Sequence, residues 1–132
     1  LARGSGKDRI EAFSLCNELA SKGDVKVLIP LAHMYRDGTG TQKDTDLSIF
    51  WLRKAIEKEV AGAKGELVNS LIIRNLDGDV AEALTLCENI AESGDLEGYN
   101  LMSKIYARGI GVEKDIDKAI YYARMASGMV KD

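Results

Sequence analysis

The chain repeats itself at a fixed spacing, and this feature constrains its fold more than any other. Residues 8–61 laid over residues 79–132, an offset of 71 without a gap, are identical at 17 of 54 positions. The underlying period is half this offset, because an aspartate followed four residues later by Ala or Ser recurs at Asp8, Asp44, Asp79 and Asp115. These aspartates are 36, 35 and 36 residues apart, a period typical of solenoids built from helix–turn–helix repeats.

Apolar residues follow each aspartate at helical spacing, as at positions 116, 119, 120, 123 and 126 after Asp115. Aspartate is a favoured helix N-cap, so the four aspartates are predicted to cap four "second helices". Three "first helices" are predicted at residues 25–37, 63–75 and 96–108. Because Pro30 lies within the first of these, that helix either kinks or begins later, with Pro30 in its first turn.

The predicted fold class is all-α: an α/α solenoid of antiparallel helix pairs with a period of 35–36 residues and about seven helices. We expect one solenoid domain over residues 1–132. Its predicted parts are a partial repeat 1–23, a repeat 24–59, an atypical repeat 60–94 and a repeat 95–132. The chain begins at Leu1 and its first residues are similar to the end of a repeat, so we expect it to be excised from a longer array.

Two glycine-containing loops connect first to second helices, in the segments YRDGTGTQKDTD (35–46) and YARGIGVEKDID (106–117). Gly38 and Gly109 are predicted to end helices in the left-handed conformation, and Gly40 and Gly111 to let the chain turn tightly. The alternative is phosphate binding by Gly-x-Gly followed by Lys. Phosphate-binding motifs of that kind require a preceding strand, whereas a helix precedes both loops here, so the pattern favours structural turns.

The order of tyrosine, Gly-x-Gly, Lys-Asp, a small residue and a late alanine resembles the Sel-one-like repeat family, a tetratricopeptide-like helical repeat. Segment 75–79, NLDGD, departs from the pattern because it lacks the tyrosine and the paired glycines. The resemblance implies a protein–protein interaction module, a scaffold or adaptor without enzyme activity, that binds a partner segment on a concave surface of first helices. The residues that it implies for this surface are Lys26, Ile29, His33, Arg36, Asn69, Ile72, Glu97, Asn100, Lys104 and Arg108.

Arg36, Lys104 and Arg108 would make this surface positive and suit an acidic or C-terminal peptide. The alternative is that these side chains balance neighbouring carboxylates in exposed ion pairs. Whether the positions form a groove or only a solvated helix face stays open at this stage.

Two other functions are considered: a regulatory or targeting appendage of a larger enzyme, for example in envelope polysaccharide assembly, and hydrolysis, as suggested for cysteine-rich relatives. No serine stands in a nucleophile-elbow context, so no catalytic residue is predicted. The single histidine, His33, has no second ligand at metal-binding spacing, so neither a metal nor another cofactor is expected.

The net charge limits the classes of partner that the sequence allows, and the cysteine content bears on the location of the protein. The net charge of −3 provides no basic patch for nucleic acid, and no apolar run approaches membrane-spanning length. Cys16 and Cys87 are two repeats apart, too far for a disulfide, and are predicted to be buried free thiols, which favours a cytoplasmic location. The resemblance implies a protein or peptide partner, with self-association possible.

Overall fold

The computed structural model describes residues 6–128, and this part of the chain contains seven α-helices and no strand. The helices are α1 (Gly6–Ser21), α2 (Leu28–Asp37), α3 (Thr45–Glu57), α4 (Ala63–Arg74), α5 (Asp79–Glu92), α6 (Glu97–Arg108) and α7 (Ile116–Ala126). The all-α fold class and the number of helices are confirmed. The chain divides into two compact units, residues 1–66 and 67–132, and the division into repeats within one solenoid stays a prediction.

In the first unit, α2 and α3 form an antiparallel hairpin, and α1 packs on α2. Gly38 ends α2 with a φ of 74°, the left-handed conformation predicted for it. The loop then returns to α2, where the Asp44 N–H donates to the Tyr35 carbonyl at 2.7 Å. The Asp44 carboxylate accepts the Leu47 N–H at 3.0 Å, so Asp44 is the N-cap of α3.

Gly40 is needed for close packing as well as for its φ of 74°. A Cβ at this position would overlap the Arg9 carbonyl and lie 3.0 Å from the Phe13 Cβ, so the loop rests directly on α1. Phe13 also contacts Tyr35 edge to face, with ring centroids 5.2 Å apart. The Gly-x-Gly loop is thus part of the packing between α1 and the hairpin.

The start of α2 resolves the two possibilities raised by Pro30. A 3₁₀ turn over Val25–Val27 precedes α2, and Asp24 caps this turn by accepting the Lys26 N–H at 2.9 Å. Because α2 begins at Leu28, Pro30 lies in its first turn. The N–H that proline lacks would have no intrahelical acceptor there, so α2 forms without a kink at Pro30.

The second unit repeats the hairpin with α6 and α7. Gly109 ends α6 with a φ of 67°, and the Asp115 N–H donates to the Tyr106 carbonyl at 3.0 Å. The Asp115 carboxylate accepts the Lys118 N–H at 3.0 Å and caps α7. A Cβ at Gly111 would overlap the side chain of Val80 in α5. Val80 stands 71 residues after Arg9, so both loops make the equivalent contact.

The prediction that Asp79 caps α5 from the N-cap position is wrong. Gly78 occupies that position, with a φ of 84°, and Asp79 is the first helical residue. The Asp79 carboxylate is buried and accepts two hydrogen bonds from the Arg74 guanidinium at 2.8 Å, and a third from the Leu76 N–H at 2.9 Å. In this short loop the aspartate therefore stabilises the connection from α4 instead of the start of α5.

Asp8 does not occupy an N-cap position either. The helix already includes Gly6 and Lys7, so Asp8 lies inside its first turn. An acidic side chain there still interacts favourably with the positive end of the helix dipole.

The two cysteines have different environments, although their sequence positions are equivalent. Cys87 is buried as predicted, whereas Cys16 is only half-buried, which corrects the prediction for that residue. Gly98 of α6 explains the burial of Cys87, because its missing side chain lets α6 approach the Cys87 carbonyl and the Ala91 N of α5. The equivalent residue in the first unit is Val27, which has a larger side chain and packs against the same core cluster as Cys16.

Candidate partner-binding surface

One exposed surface in the second unit is a face of α6, formed by Glu97, Asn100, Lys104 and Arg108. Their spacing of three, four and four residues places them in one stripe along the helix. All four are exposed, while the adjoining stripe buries Leu101 and Ile105 in the core. These four residues, the "α6 stripe", are the same four that the sequence analysis assigns to the predicted helix 96–108.

Charge changes sign along the α6 stripe. Glu97 lies in the first turn and accepts a hydrogen bond from the Asn100 amide at 3.1 Å. Lys104 and Arg108 follow toward the last turn, and neither has an ion-pair partner among residues 6–128. The stripe therefore runs from an acidic start to a basic end.

A depression of about 510 Å³ lies where the start of α6 meets the end of α7. Its lining residues are Asp95, Leu96, Glu97, Asn100, Ala123, Ala126 and Ser127. The Asp95 carboxylate accepts the Glu97 N–H at 3.0 Å through one oxygen. The depression thus combines small and apolar side chains with two carboxylates at its rim.

The predicted residues on α2 form a different arrangement. The His33 Nε2 lies 2.7 Å from the Glu66 Oε1, and the Arg36 Nη1 lies 3.5 Å from the same oxygen. Arg36 also donates to Asp37 at 3.1 Å, and this hydrogen bond lowers the pKa of the Asp37 carboxyl. Two carboxylates therefore lie beside the Arg36 guanidinium, and its role in partner binding stays a prediction.

Glu66 is the residue that sequence reasoning missed. It lies in the first turn of α4, 33 residues after His33, close to one repeat length. Residues one repeat apart occupy neighbouring first helices in such folds, so the period contained the signal. The local pattern around His33 offered only Arg36 and Asp37 as neighbours.

The remaining predicted residues differ in exposure. Lys26 and Asn69 are exposed, and Ile72 is half-buried. Ile29 packs in part against the core cluster that contains Leu28 and Ala55, so it is only partly available to a partner. None of the ten predicted surface residues is fully buried.

Tyrosines fill the space between α6 and α7. Tyr122 stacks on Tyr106 and on Tyr99, with ring centroids 5.9 Å and 6.3 Å apart. Burial raises the pKa of the Tyr122 hydroxyl. The Lys118 Nζ lies over the Tyr106 ring at 4.9 Å. The cluster joins the two helices of the hairpin beside the α6 stripe.

Within residues 6–128, no three His, Cys, Asp or Glu side chains are grouped so that they could hold a metal ion. None of the helices in this range is both long and apolar enough to span a bilayer.

Comparison with known proteins identifies the family of the chain. The model of the Sel1 repeat matches residues 31–60 and 96–129, which include most of α2, all of α3, α6 and α7, and both Gly-x-Gly loops. The chain is a Sel1-like repeat protein. The resemblance found in the sequence is therefore confirmed, and repeats of this kind generally form scaffolds for protein interactions without a catalytic centre.

Solved structures show the same fold. A Sel1 repeat protein from Oxalobacter formigenes is 31% identical, with a TM-score of 0.66 over 95% of this chain and 51% of its own length. A protective antigen of uropathogenic Escherichia coli strains, which displays an SLR fold, is 23% identical, with a TM-score of 0.59 over 88% of this chain and 25% of its own. The chain thus spans about half of the first protein and a quarter of the second. No curated protein matches it.

Proposed function

We propose that this Sel1-like repeat protein is a non-catalytic scaffold or adaptor that binds a segment of a partner protein on the first-helix surface predicted from its sequence. The observation that supports this most is the α6 stripe, where Lys104 and Arg108 are exposed without ion-pair partners and Asn100 is exposed beside them. A charged stripe with open donors and acceptors can form the hydrogen bonds that fix a peptide segment.

The remaining surface residues extend this proposal to α2 and α4. Lys26, Asn69 and Ile72 offer exposed or half-exposed side chains. His33 and Arg36 contact a partner through the cluster that they form with Glu66.

The test is partner capture from cell lysate with charge-reversed variants. Lys104→Glu combined with Arg108→Glu is expected to abolish capture and to leave the melting temperature nearly unchanged, because both side chains are exposed. Wild-type capture should weaken as salt concentration rises, since exposed charges are screened.

The matched control is Lys54→Glu. It reverses an exposed charge on α3, which is a second helix of a repeat and not a first helix, and it should leave capture intact. Equal loss of capture in both variants, or loss only with Lys54→Glu, would contradict the assignment to first helices.

A further inference from the structure

The short loop between α4 and α5 leaves a notch in the second unit. Seven residues connect α2 to α3 (38–44) and α6 to α7 (109–115), whereas only four, 75–78, connect α4 to α5. A notch of about 230 Å³ lies beside this four-residue loop. All of its lining residues belong to the interior of the described range; they are Asn75, Leu76, Asp77, Gly78, Val80, Ala81 and Gly111.

The walls of the notch are mainly apolar, and the Gly-x-Gly loop of the α6–α7 hairpin fixes one side of it. A Cβ at Gly111 would overlap the Val80 side chain and would lie 3.2 Å from the Asn75 Oδ1. Val80 is only 6% exposed, whereas Leu76 is 58% exposed. An apolar side chain that enters the notch would therefore contact Leu76, Val80 and Ala81.

Two polar side chains at the notch have no partner. Neither the Asp77 carboxylate nor the Asn75 amide forms a side-chain hydrogen bond or an ion pair with any residue of the range 6–128. The neighbouring carboxylate of Asp79 differs, because it accepts two hydrogen bonds from Arg74 and one from the Leu76 N–H. Asp77 therefore places an uncompensated negative charge beside the apolar walls.

The end of α4 is more apolar than the ends of the other first helices. Ile73 is 53% exposed, and the spacing of 36 and 35 residues aligns it with Asp37 and Arg108. Ile73 and Leu76 thus expose two large apolar side chains within four residues of chain, where the other repeats have charged residues. Apolar side chains gathered on a surface are typical of interaction sites.

We infer that the notch binds a segment of a partner protein through two adjoining residues: an aliphatic residue that contacts Leu76 and Ala81, and a Lys or Arg that pairs with Asp77. Charge complementarity selects the cation, because Asp77 has no basic partner in the described part of the chain. The Asn75 amide offers a donor and an acceptor to the backbone of the segment. This inference rests on the proposed function and names the chemistry of the partner at the second unit.

The probes are the capped dipeptides Leu-Arg and Arg-Leu, titrated at millimolar concentration into the ¹⁵N-labelled chain while amide spectra are recorded by NMR. For the tighter of the two, the signals of residues 75–81 and of Gly111 should shift and saturate. Replacing its Arg by Glu should weaken binding about threefold to fivefold, the range expected for one exposed ion pair. Replacing its Leu by Ala should weaken binding about tenfold, because less apolar surface is buried.

Three results of this titration would overturn the inference. They are equal binding of all the dipeptides, shifts confined to residues outside the notch, and no saturable shift for either order of Leu and Arg.

Variants locate the contacts. Asp77→Asn should remove the preference for Arg over Glu, and Ala81→Leu should abolish the shifts by filling the notch from an exposed position. The matched control is Asp37→Asn, at the other Asp-Gly pair of the chain, which should leave binding unchanged. Circular dichroism confirms that each variant is folded. If Ala81→Leu unfolds the chain, Asp77→Asn against Asp37→Asn decides the outcome, and an unchanged preference for Arg in Asp77→Asn would overturn the inference.

Further results separate this inference from its basis. If the dipeptides fail to bind while Lys104→Glu with Arg108→Glu still abolishes partner capture, the chemistry assigned to the notch is wrong and the scaffold function stands. If capture is also indifferent to that double variant, the proposed function fails as well. Sedimentation that shows a dimer, dissociated by Ala81→Leu, would overturn the inference by assigning the notch to a second copy of the chain.

Discussion

Single residues decide how each helix ends, and the repeat makes their roles comparable. Gly23, Gly94 and Gly128 each follow a second helix with φ between 77° and 96°. Glu59 occupies the corresponding position after α3 and holds a φ of 57°. Residues with a Cβ resist this left-handed conformation, so α3 ends with strain that the other second helices avoid.

Glu59→Gly should therefore stabilise the protein. Relief of the left-handed strain, of about 1–2 kcal/mol, exceeds the added entropy of glycine in the unfolded chain, so the net gain should be on the order of 0.5–1 kcal/mol. Urea denaturation measures the free energy of unfolding. The reverse change, Gly94→Glu, serves as the comparison and should destabilise, and a loss of stability in Glu59→Gly would contradict the strain.

The Arg74–Asp79 pair is the other residue-scale feature with a large expected effect. Arg74→Ala removes two hydrogen bonds from a carboxylate that is only 4% exposed, and leaves the Leu76 N–H as a remaining donor. Because Arg74 is itself partly exposed, the loss of unfolding free energy should be about 2–3 kcal/mol, below the full cost of an unpaired buried charge.

The control for this prediction is the exposed pair of Lys22 and Glu18. Lys22→Ala should change the free energy of unfolding by less than about 0.5 kcal/mol. Similar losses in Arg74→Ala and Lys22→Ala, measured by thermal and urea unfolding, would show that burial adds nothing to the Arg74–Asp79 pair.

At the scale of elements, the closeness of two helices is set by the smallest residue between them. Gly98 brings α6 against α5, so Cys87 is buried, and burial raises the pKa of its thiol to about 12. The equivalent residue in the first unit is Val27, in the 3₁₀ turn before α2, and Cys16 stays half-buried there.

Thiol titration of the native protein at pH 8 should detect Cys16 alone. At that pH a thiol with a pKa of about 12 is ionised in only ~1 molecule in 10,000, and the buried sulfur is also inaccessible. Cys87 should react only after unfolding. Gly98→Ala should destabilise the protein by about 1–3 kcal/mol through overpacking and expose Cys87 to the reagent. Fast reaction of both native thiols would contradict the packing of α6 on α5.

At the scale of the whole molecule, the period and the apolar spacing were enough to predict the all-α class and the seven helices of residues 6–128, and the glycine loops were enough to predict the family. The period succeeded because Asp44 and Asp115 meet the same loop geometry, closed each time by a hydrogen bond to a tyrosine carbonyl. It failed at Asp79, since a loop of four residues replaces the long one there, and the buried Asp79 carboxylate pairs with Arg74 instead of capping α5.

The candidate surface was predicted only in part. Helical spacing was sufficient to place Asn100, Lys104 and Arg108 on one face. It could not show that Glu66 reaches back to His33 and Arg36, because that contact joins residues on different helices. Charge on a surface position becomes interpretable only when its neighbours in space are known.

The central claim, that a partner segment lies along the α6 stripe, is tested most directly by site-specific photo-crosslinking. A benzophenone amino acid placed at Asn100 should form a covalent adduct with the captured partner. The same group at Lys54, exposed on α3, should form none. Adducts from position 54 in the absence of adducts from position 100 would contradict the account.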